Sequence, residues 1–181
     1  MQVNTHNTYA PITKFFHWTM SIMILSLLAV GLTMTSMDDS DLKWQIYEMH
    51  KSFGLLVLLL FPMRLTWRLM NASPHLDMIP KWEQHAAKSV HWLLYFGMLL
   101  MPLSGWIMAT ASGYTPAFFG LFDVPAPVDL NEGTAQLSLA IHHYGAWTLI
   151  ALLSLHLAAA TKAHWLDKNN ILKRMLPGKS D

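Results

Sequence analysis

The sequence predicts an all-α integral membrane protein, in which four helices run up, down, up and down as one bundle. Three observations support this fold class. Of the 181 residues, 53% are hydrophobic and only 13% are charged, whereas soluble domains carry about 25% charged residues. Four long apolar segments follow one another along the chain, and the basic residues gather on one side of them. We expect a single domain over residues 1–181.

The apolar segments have the length that a bilayer requires. A hydrocarbon core about 30 Å thick takes about 20 helical residues. Lipid offers the backbone no hydrogen-bond partners, so spanning segments are helices or closed barrels. These segments are continuously apolar rather than alternating, which favours helices. The predicted spans are residues 15–35, 47–67, 90–111 and 137–160.

Lysine and arginine predict the orientation. All but two of the twelve lie before the first span, around the second connection or after the fourth span; the exceptions are Lys43 and Lys51. The third connection has no basic residue, and its AFFGLF stretch, residues 117–122, is expected to dip into the membrane interface. The positive-inside rule places both termini in the cytoplasm.

The chain has no cysteine and ten histidines. Disulfides, iron–sulfur clusters, thiolate zinc sites and thioether-linked haem are therefore excluded. Any haem must be of the non-covalent b type, held by histidine or methionine. Nothing in the composition predicts nucleic-acid binding.

Histidine spacing in the fourth span is informative. His142 and His156 are fourteen residues apart, which in a helix is about 21 Å and nearly four turns. Their rings therefore lie on one face at two depths. His143 points about 100° away, so His142 is the better partner of His156, although the doubled histidine leaves some choice open.

The same fourteen-residue step recurs in the other spans, where His50 precedes Arg64, and His17 and His91 precede glycines. Because the helices alternate in direction, these positions fall into two layers. The terminal layer, on the side of the chain termini, contains His17, Arg64, His91 and His156. The loop layer, on the side of the third connection, contains Gly31, His50, Gly105 and His142.

Two such layers suit two flat cofactors held between helices. Glycine would let a porphyrin edge approach the backbone, and Arg64 could pair with a haem propionate. In the loop layer only His50 and His142 are available as an axial pair. In the terminal layer three histidines compete for two positions, and spacing does not choose between them. The pattern favours two b-type haems, each held by two histidines.

Other interpretations of the same residues exist. A membrane histidine can serve as an interhelical hydrogen-bond partner, glycine can serve close helix packing, and Arg64 can extend toward the interface. At the level of function, the alternatives are the membrane anchor or cytochrome b subunit of a larger oxidoreductase, a histidine-lined transporter of metal ions or protons, and a haem-free structural bundle.

The chain also resembles a known family. The stretches FFHWTMSIMILSLLAVGL, MHKSFGLLVLLLFPMRLTWRL, VHWLLYFGMLLMPLSGWIM and IHHYGAWTLIALLSLHLAAATKAHW, with the tail DKNNILKRMLPG, are similar to the bacterial cytochrome b561 family. Its wider relatives include the cytochrome b subunits of hydrogenases and formate dehydrogenases. The resemblance covers nearly the whole chain, and the HH at 142–143 departs from the family pattern.

The resemblance implies two b haems, one held by His50 and His142 and the other by His17 and His156. His91 would then lie beside the cytoplasmic haem and bond a propionate or a quinone. The family further implies electron exchange with ubiquinone or another membrane quinone, and some members are associated with superoxide oxidation at the periplasmic face. It leaves open the electron donor and acceptor, and a redox partner subunit.

Two further expectations concern the surroundings of the haems. Each ligating imidazole needs an acceptor for its other ring nitrogen, and the candidates are Ser104, Thr148 and backbone carbonyls near Pro62 or Pro102. A quinone pocket at the terminal layer would use Arg64, Arg68 and His91, because positively charged residues gather there.

Overall fold

The computed structural model describes residues 8–71, 73–74 and 79–177. Lys179, one of the basic residues that predict orientation, lies outside these ranges. Within them, four long helices are apolar and long enough to cross a membrane, which confirms the four predicted helices. They are α1 (Pro11–Met34), α2 (Asp41–Met70), α3 (Lys81–Ala111) and α4 (Glu132–Thr161). A π-helical turn (Lys162–Leu166) and the short α5 (Ile171–Met175) follow α4.

Two of the helices, α2 and α4, begin before their apolar segments at polar capping residues. The Ser40 side chain accepts a hydrogen bond from the Lys43 amide, so α2 begins within what the sequence suggests is a connection. The Asn131 side chain likewise accepts from the Thr134 amide at 2.8 Å and begins α4. These caps satisfy amides that a helix start leaves unpaired. Pro62 and Pro102 lie inside α2 and α3 without ending them.

Consecutive helices are neighbours, and the α3–α4 contact is the most extensive. Both described ends of the chain lie at the same end of the bundle. The Tyr9 amide donates to the Arg174 carbonyl, and the Trp18 indole donates to the Met175 carbonyl at 2.9 Å. This is the arrangement that four alternating helices produce.

The third connection forms a small hairpin, which the all-helical prediction did not contain. Strand β1 (Ala117–Phe118) pairs antiparallel with β2 (Phe122–Asp123), and Gly120 at the turn has φ +71°, a conformation that glycine adopts without strain. The Ser52 hydroxyl of α2 donates to the Ala117 carbonyl and accepts from the Phe119 amide. The hairpin is thereby fastened to α2.

The buried core lies between the two predicted layers. Met20, Val57 and Met98 form its centre. Val57 and Met98, with buried Leu149, are each seven residues from both layer positions of their helix, and so lie midway between the layers. Most large apolar side chains elsewhere point outward, where lipid would cover them.

Candidate functional site: two layers of histidines

The loop layer brings together two histidines from different helices. His50 of α2 and His142 of α4 face each other with ring centres 6.3 Å apart and ring planes at 77°. His143 does not join this pair, because its side chain is exposed and its ring lies against Tyr144. The structure therefore places the first histidine of the doublet, and not the second, opposite His50.

The two glycines of the loop layer lie against these imidazoles. A Cβ atom added at Gly105 would come within 3.0 Å of Cε1 of His142, and one added at Gly31 within 3.3 Å of Cε1 of His50. The sequence suggested that a cofactor edge would use this space, whereas here each glycine admits the ring of a histidine from a neighbouring helix.

His142 has polar partners at its Nδ1 atom, and they come from α3. Nδ1 lies 2.9 Å from the Met101 carbonyl oxygen and 3.1 Å from the Ser104 hydroxyl. Ser104 was one of the expected candidates. Thr148, another candidate, instead donates to the Tyr144 carbonyl of its own helix. Nδ1 of His50 is buried and has no hydrogen-bond partner in the described part of the chain.

The terminal layer contains three histidines in contact. The ring centres of His17 and His156 are 6.2 Å apart, and those of His91 and His156 are 5.3 Å apart. His156 is therefore the central member, and His17 and His91 approach it from α1 and α3.

Arg64 lies beside this cluster. Its guanidinium contacts Nδ1 of His17 and the Phe16 carbonyl, each at 3.4 Å, and stacks over the Tyr95 ring at 5.5 Å. Arg68, one turn further along α2, is exposed. Arg64 thus brings a positive charge into contact with His17 of the terminal layer.

The spacing of the rings tests whether these residues suit a haem. Each histidine–metal bond is about 2.0 Å long and the ring centre lies about 1.1 Å behind the nitrogen, so two opposed ligands place their ring centres about 6 Å apart. The pairs His50–His142 and His17–His156 meet this requirement, and the 5.3 Å pair is too close. No group of three or more histidine or acidic side chains in the described residues is placed to hold a bare metal ion. A haem, which supplies four ligands itself, needs only two.

Some functional contacts could not be read from the sequence. The sequence predicted an acceptor carbonyl near Pro102 but not which one, and it is the Met101 carbonyl that meets His142 through tertiary packing. Ser52 is a single serine in an apolar helix, and its hairpin partners lie 65 and 67 residues away. Tyr95, which lies under Arg64, resembles any other aromatic residue of a membrane span.

Comparison with known proteins covers nearly the whole chain. The family described as Prokaryotic cytochrome b561 matches residues 8–178. The chain is 34% identical to cytochrome b561 homolog 2 of Escherichia coli (strain K12), over 98% of this chain and 95% of that protein. It is 28% identical to cytochrome b561 homolog 1 of the same organism, over 94% and 98%. It is 26% identical to the probable superoxide oxidase CybB of Yersinia pestis, over 96% and 98%.

The family match covers nearly the whole chain, and four helices of spanning length carry the paired histidines. A b-type haem is the cofactor that this family implies, and electron transfer in a bacterial membrane is its function. The chain belongs to the prokaryotic cytochrome b561 family of membrane cytochromes b.

Proposed function

We propose that this protein transfers electrons across the bacterial inner membrane through two b-type haems, with both chain termini in the cytoplasm. His50 and His142 hold the periplasmic haem, and His17 and His156 hold the cytoplasmic one. The observation that carries the proposal is the pair of ring separations, 6.3 and 6.2 Å, at two depths of one bundle. Haem supplies the one-electron oxidation and reduction when bound.

The protein's own residues hold, separate and shield the two sites. Two histidines holding each haem would disfavour binding of oxygen at its iron. The buried residues Val57, Met98 and Leu149 lie between the layers and exclude water from the interval. His91 and Arg64 stand beside the cytoplasmic pair, where they can bond a propionate or a quinone oxygen.

We place quinone exchange at the terminal end. An apolar groove of about 540 Å³ runs there between α1 and α2, lined by Phe16, Pro62, Met63, Thr66, Trp67 and Met70. Phe16 also supplies the carbonyl that contacts Arg64, so a headgroup entering from this groove would meet a cation. The isoprenoid tail of ubiquinone or another membrane quinone would remain against apolar side chains.

Superoxide is a candidate electron donor at the periplasmic end, on the strength of the name of the Yersinia relative. Lys43 and Lys51 are engaged there, by the Met37 carbonyl and Glu48 respectively, so attraction of the anion would require these contacts to open. Anaerobic addition of superoxide to the oxidised protein should produce the reduced spectrum, and superoxide dismutase should prevent it. No reduction would exclude superoxide as a donor.

The first experiment is a dithionite-reduced minus oxidised visible spectrum of the detergent-purified protein, with haem counted per chain. Two low-spin b haems per chain are expected, one of them absent in His50→Ala and the other absent in His156→Ala. A flat spectrum after expression with ample haem would reject the proposal and favour the histidine-lined transporter. Co-purification of a partner would identify the protein as the cytochrome b subunit of a larger oxidoreductase.

A further inference from the structure

The two histidines of the loop layer have unequal surroundings. Nδ1 of His142 has two oxygen neighbours on one turn of α3, the Met101 carbonyl at 2.9 Å and the Ser104 hydroxyl at 3.1 Å. Nδ1 of His50 is buried and has no partner among the described residues. One imidazole is therefore fixed by hydrogen bonds, and the other is placed by packing alone.

The hydrogen-bond roles around His142 follow from the Met101 carbonyl. A carbonyl oxygen only accepts, so Nδ1 of His142 carries the proton and donates. The Ser104 hydroxyl also donates to this carbonyl, at 2.9 Å. The lone pairs of the Ser104 oxygen are then free to accept a hydrogen bond from the Nδ1–H group of His142. An imidazole with its proton on Nδ1 offers Nε2 as the ligating atom.

The shape of the same turn restricts the ring further. A Cβ atom at Gly105 would lie 3.0 Å from Cε1 and 3.3 Å from Nδ1 of His142, so the ring rests against the bare backbone. Ser104 itself is only 4% exposed. The segment 101–105 thus contacts the His142 imidazole through a carbonyl oxygen, a hydroxyl group and the bare backbone of a glycine. His50 has only the bare backbone of Gly31 as the corresponding contact.

We propose that Ser104 is a positioning residue, which together with the Met101 carbonyl fixes the His142 ring with Nε2 toward His50. Of the two residues that would hold the periplasmic haem, His142 would consequently be fixed and His50 would be adjustable. This inference rests on the proposed function only in assuming that the pair holds a haem. Hydrogen bonds that the Nδ1–H group donates make an imidazole a stronger electron donor, which stabilises ferric iron and lowers the reduction potential.

Ser104→Ala tests the role of the hydroxyl in the haem-loaded protein. The midpoint potential of the periplasmic haem, identified as the haem that His142→Ala loses, should rise, and its low-spin ferric resonance signal should change. The other haem should keep its potential. Ser104→Thr, which retains a hydroxyl, should restore both properties. Ser154→Ala is the matched control, because that hydroxyl donates only to the Ile150 carbonyl of its own helix.

Unchanged potentials and an unchanged resonance signal in Ser104→Ala would overturn the positioning role. If the unmutated protein binds no haem, the proposed function is rejected instead, so the two failures are distinguishable.

Two glycine variants test whether the His142 ring is held more firmly than the His50 ring, without removing a polar group. In Gly105→Ala the new methyl group meets a ring that its hydrogen bonds hold in place, so the periplasmic haem should be lost from most molecules. In Gly31→Ala the His50 ring can move aside, so the protein should retain two haems per chain with at most a shifted potential. Equal haem loss in the two variants, or greater loss in Gly31→Ala, would overturn the inequality.

Discussion

The guanidinium of Arg64 lies beside the imidazole of His17, with Nη2 3.4 Å from Nδ1. Arginine only donates hydrogen bonds, so Nδ1 of His17 accepts in this arrangement. A histidine that binds iron through Nε2 carries its proton on Nδ1 and cannot accept there. If His17 ligates haem, the Arg64 guanidinium must leave this contact and becomes available to an anionic propionate or a quinone oxygen.

Replacing Arg64 should therefore impair the cytoplasmic site. Arg64→Gln removes a charge-assisted hydrogen bond worth about 1.5–3 kcal/mol, so reoxidation of the reduced haems by a soluble quinone analogue should slow by about tenfold or more. Stopped-flow absorbance measures this rate. Lys81→Gln serves as the control, because Lys81 is an exposed cation at the same end of the bundle and belongs to no proposed site. An unchanged rate in Arg64→Gln would remove Arg64 from the quinone site.

Replacing single histidines with alanine tests which pair holds the cytoplasmic haem. His17→Ala should lose one haem per chain, whereas His91→Ala should keep two, because only the 6.2 Å pair matches two ligands on one iron. Haem counted per chain in purified protein decides the matter. If His91→Ala loses the haem and His17→Ala keeps it, the pairing is wrong and His91 is the ligand.

The doubled histidine within α4 allows a second comparison of single alanine variants. His142→Ala should abolish the periplasmic haem, since its ring faces His50. His143→Ala should leave both haems and their spectra unchanged, because its ring lies outside the pair, against Tyr144. Retention of haem in His142→Ala would mean that His143 rotates inward and substitutes for it.

The fold and the two layers were predictable because both depend on local geometry. A fourteen-residue step keeps His142 and His156 on one face whatever surrounds the helix. Spacing alone did not choose between His17 and His91, because that choice depends on how far α1 and α3 stand from α4; the family resemblance named His17, and the ligand pair stays a prediction. A backbone carbonyl near Pro102 was among the expected partners of a ligating imidazole, and the Met101 carbonyl is such a group, but which carbonyl is used depends on how the helices pack.

The hairpin adds a prediction about stability. Ser52 is 1% exposed and makes two hydrogen bonds to the hairpin backbone. Ser52→Ala should leave a partly buried amide and a carbonyl without this partner and reduce the free energy of unfolding by about 1–3 kcal/mol, measured in mixed micelles. Ser36→Ala, whose exposed hydroxyl bonds only the Thr33 carbonyl, should have little effect. Equal stability of the two variants would show that the hairpin does not depend on Ser52.

The layer between the histidine pairs should be held together by close packing rather than by exclusion from water. Helices in lipid gain little from burying apolar surface, so tight contact matters more than hydrophobic area. Val57 is 2% exposed and Leu59, two residues along, is 60% exposed. Val57→Ala should therefore open a cavity and reduce the free energy of unfolding by about 1–3 kcal/mol. Leu59→Ala removes more atoms, but it removes them from an outward-facing surface where lipid can fill the space. It should therefore reduce the free energy of unfolding by less than Val57→Ala does. Reversible unfolding of the two variants in mixed micelles compares them directly. A larger loss in Leu59→Ala would mean that outward-facing apolar area, and not the packed layer between the two sites, stabilises the bundle.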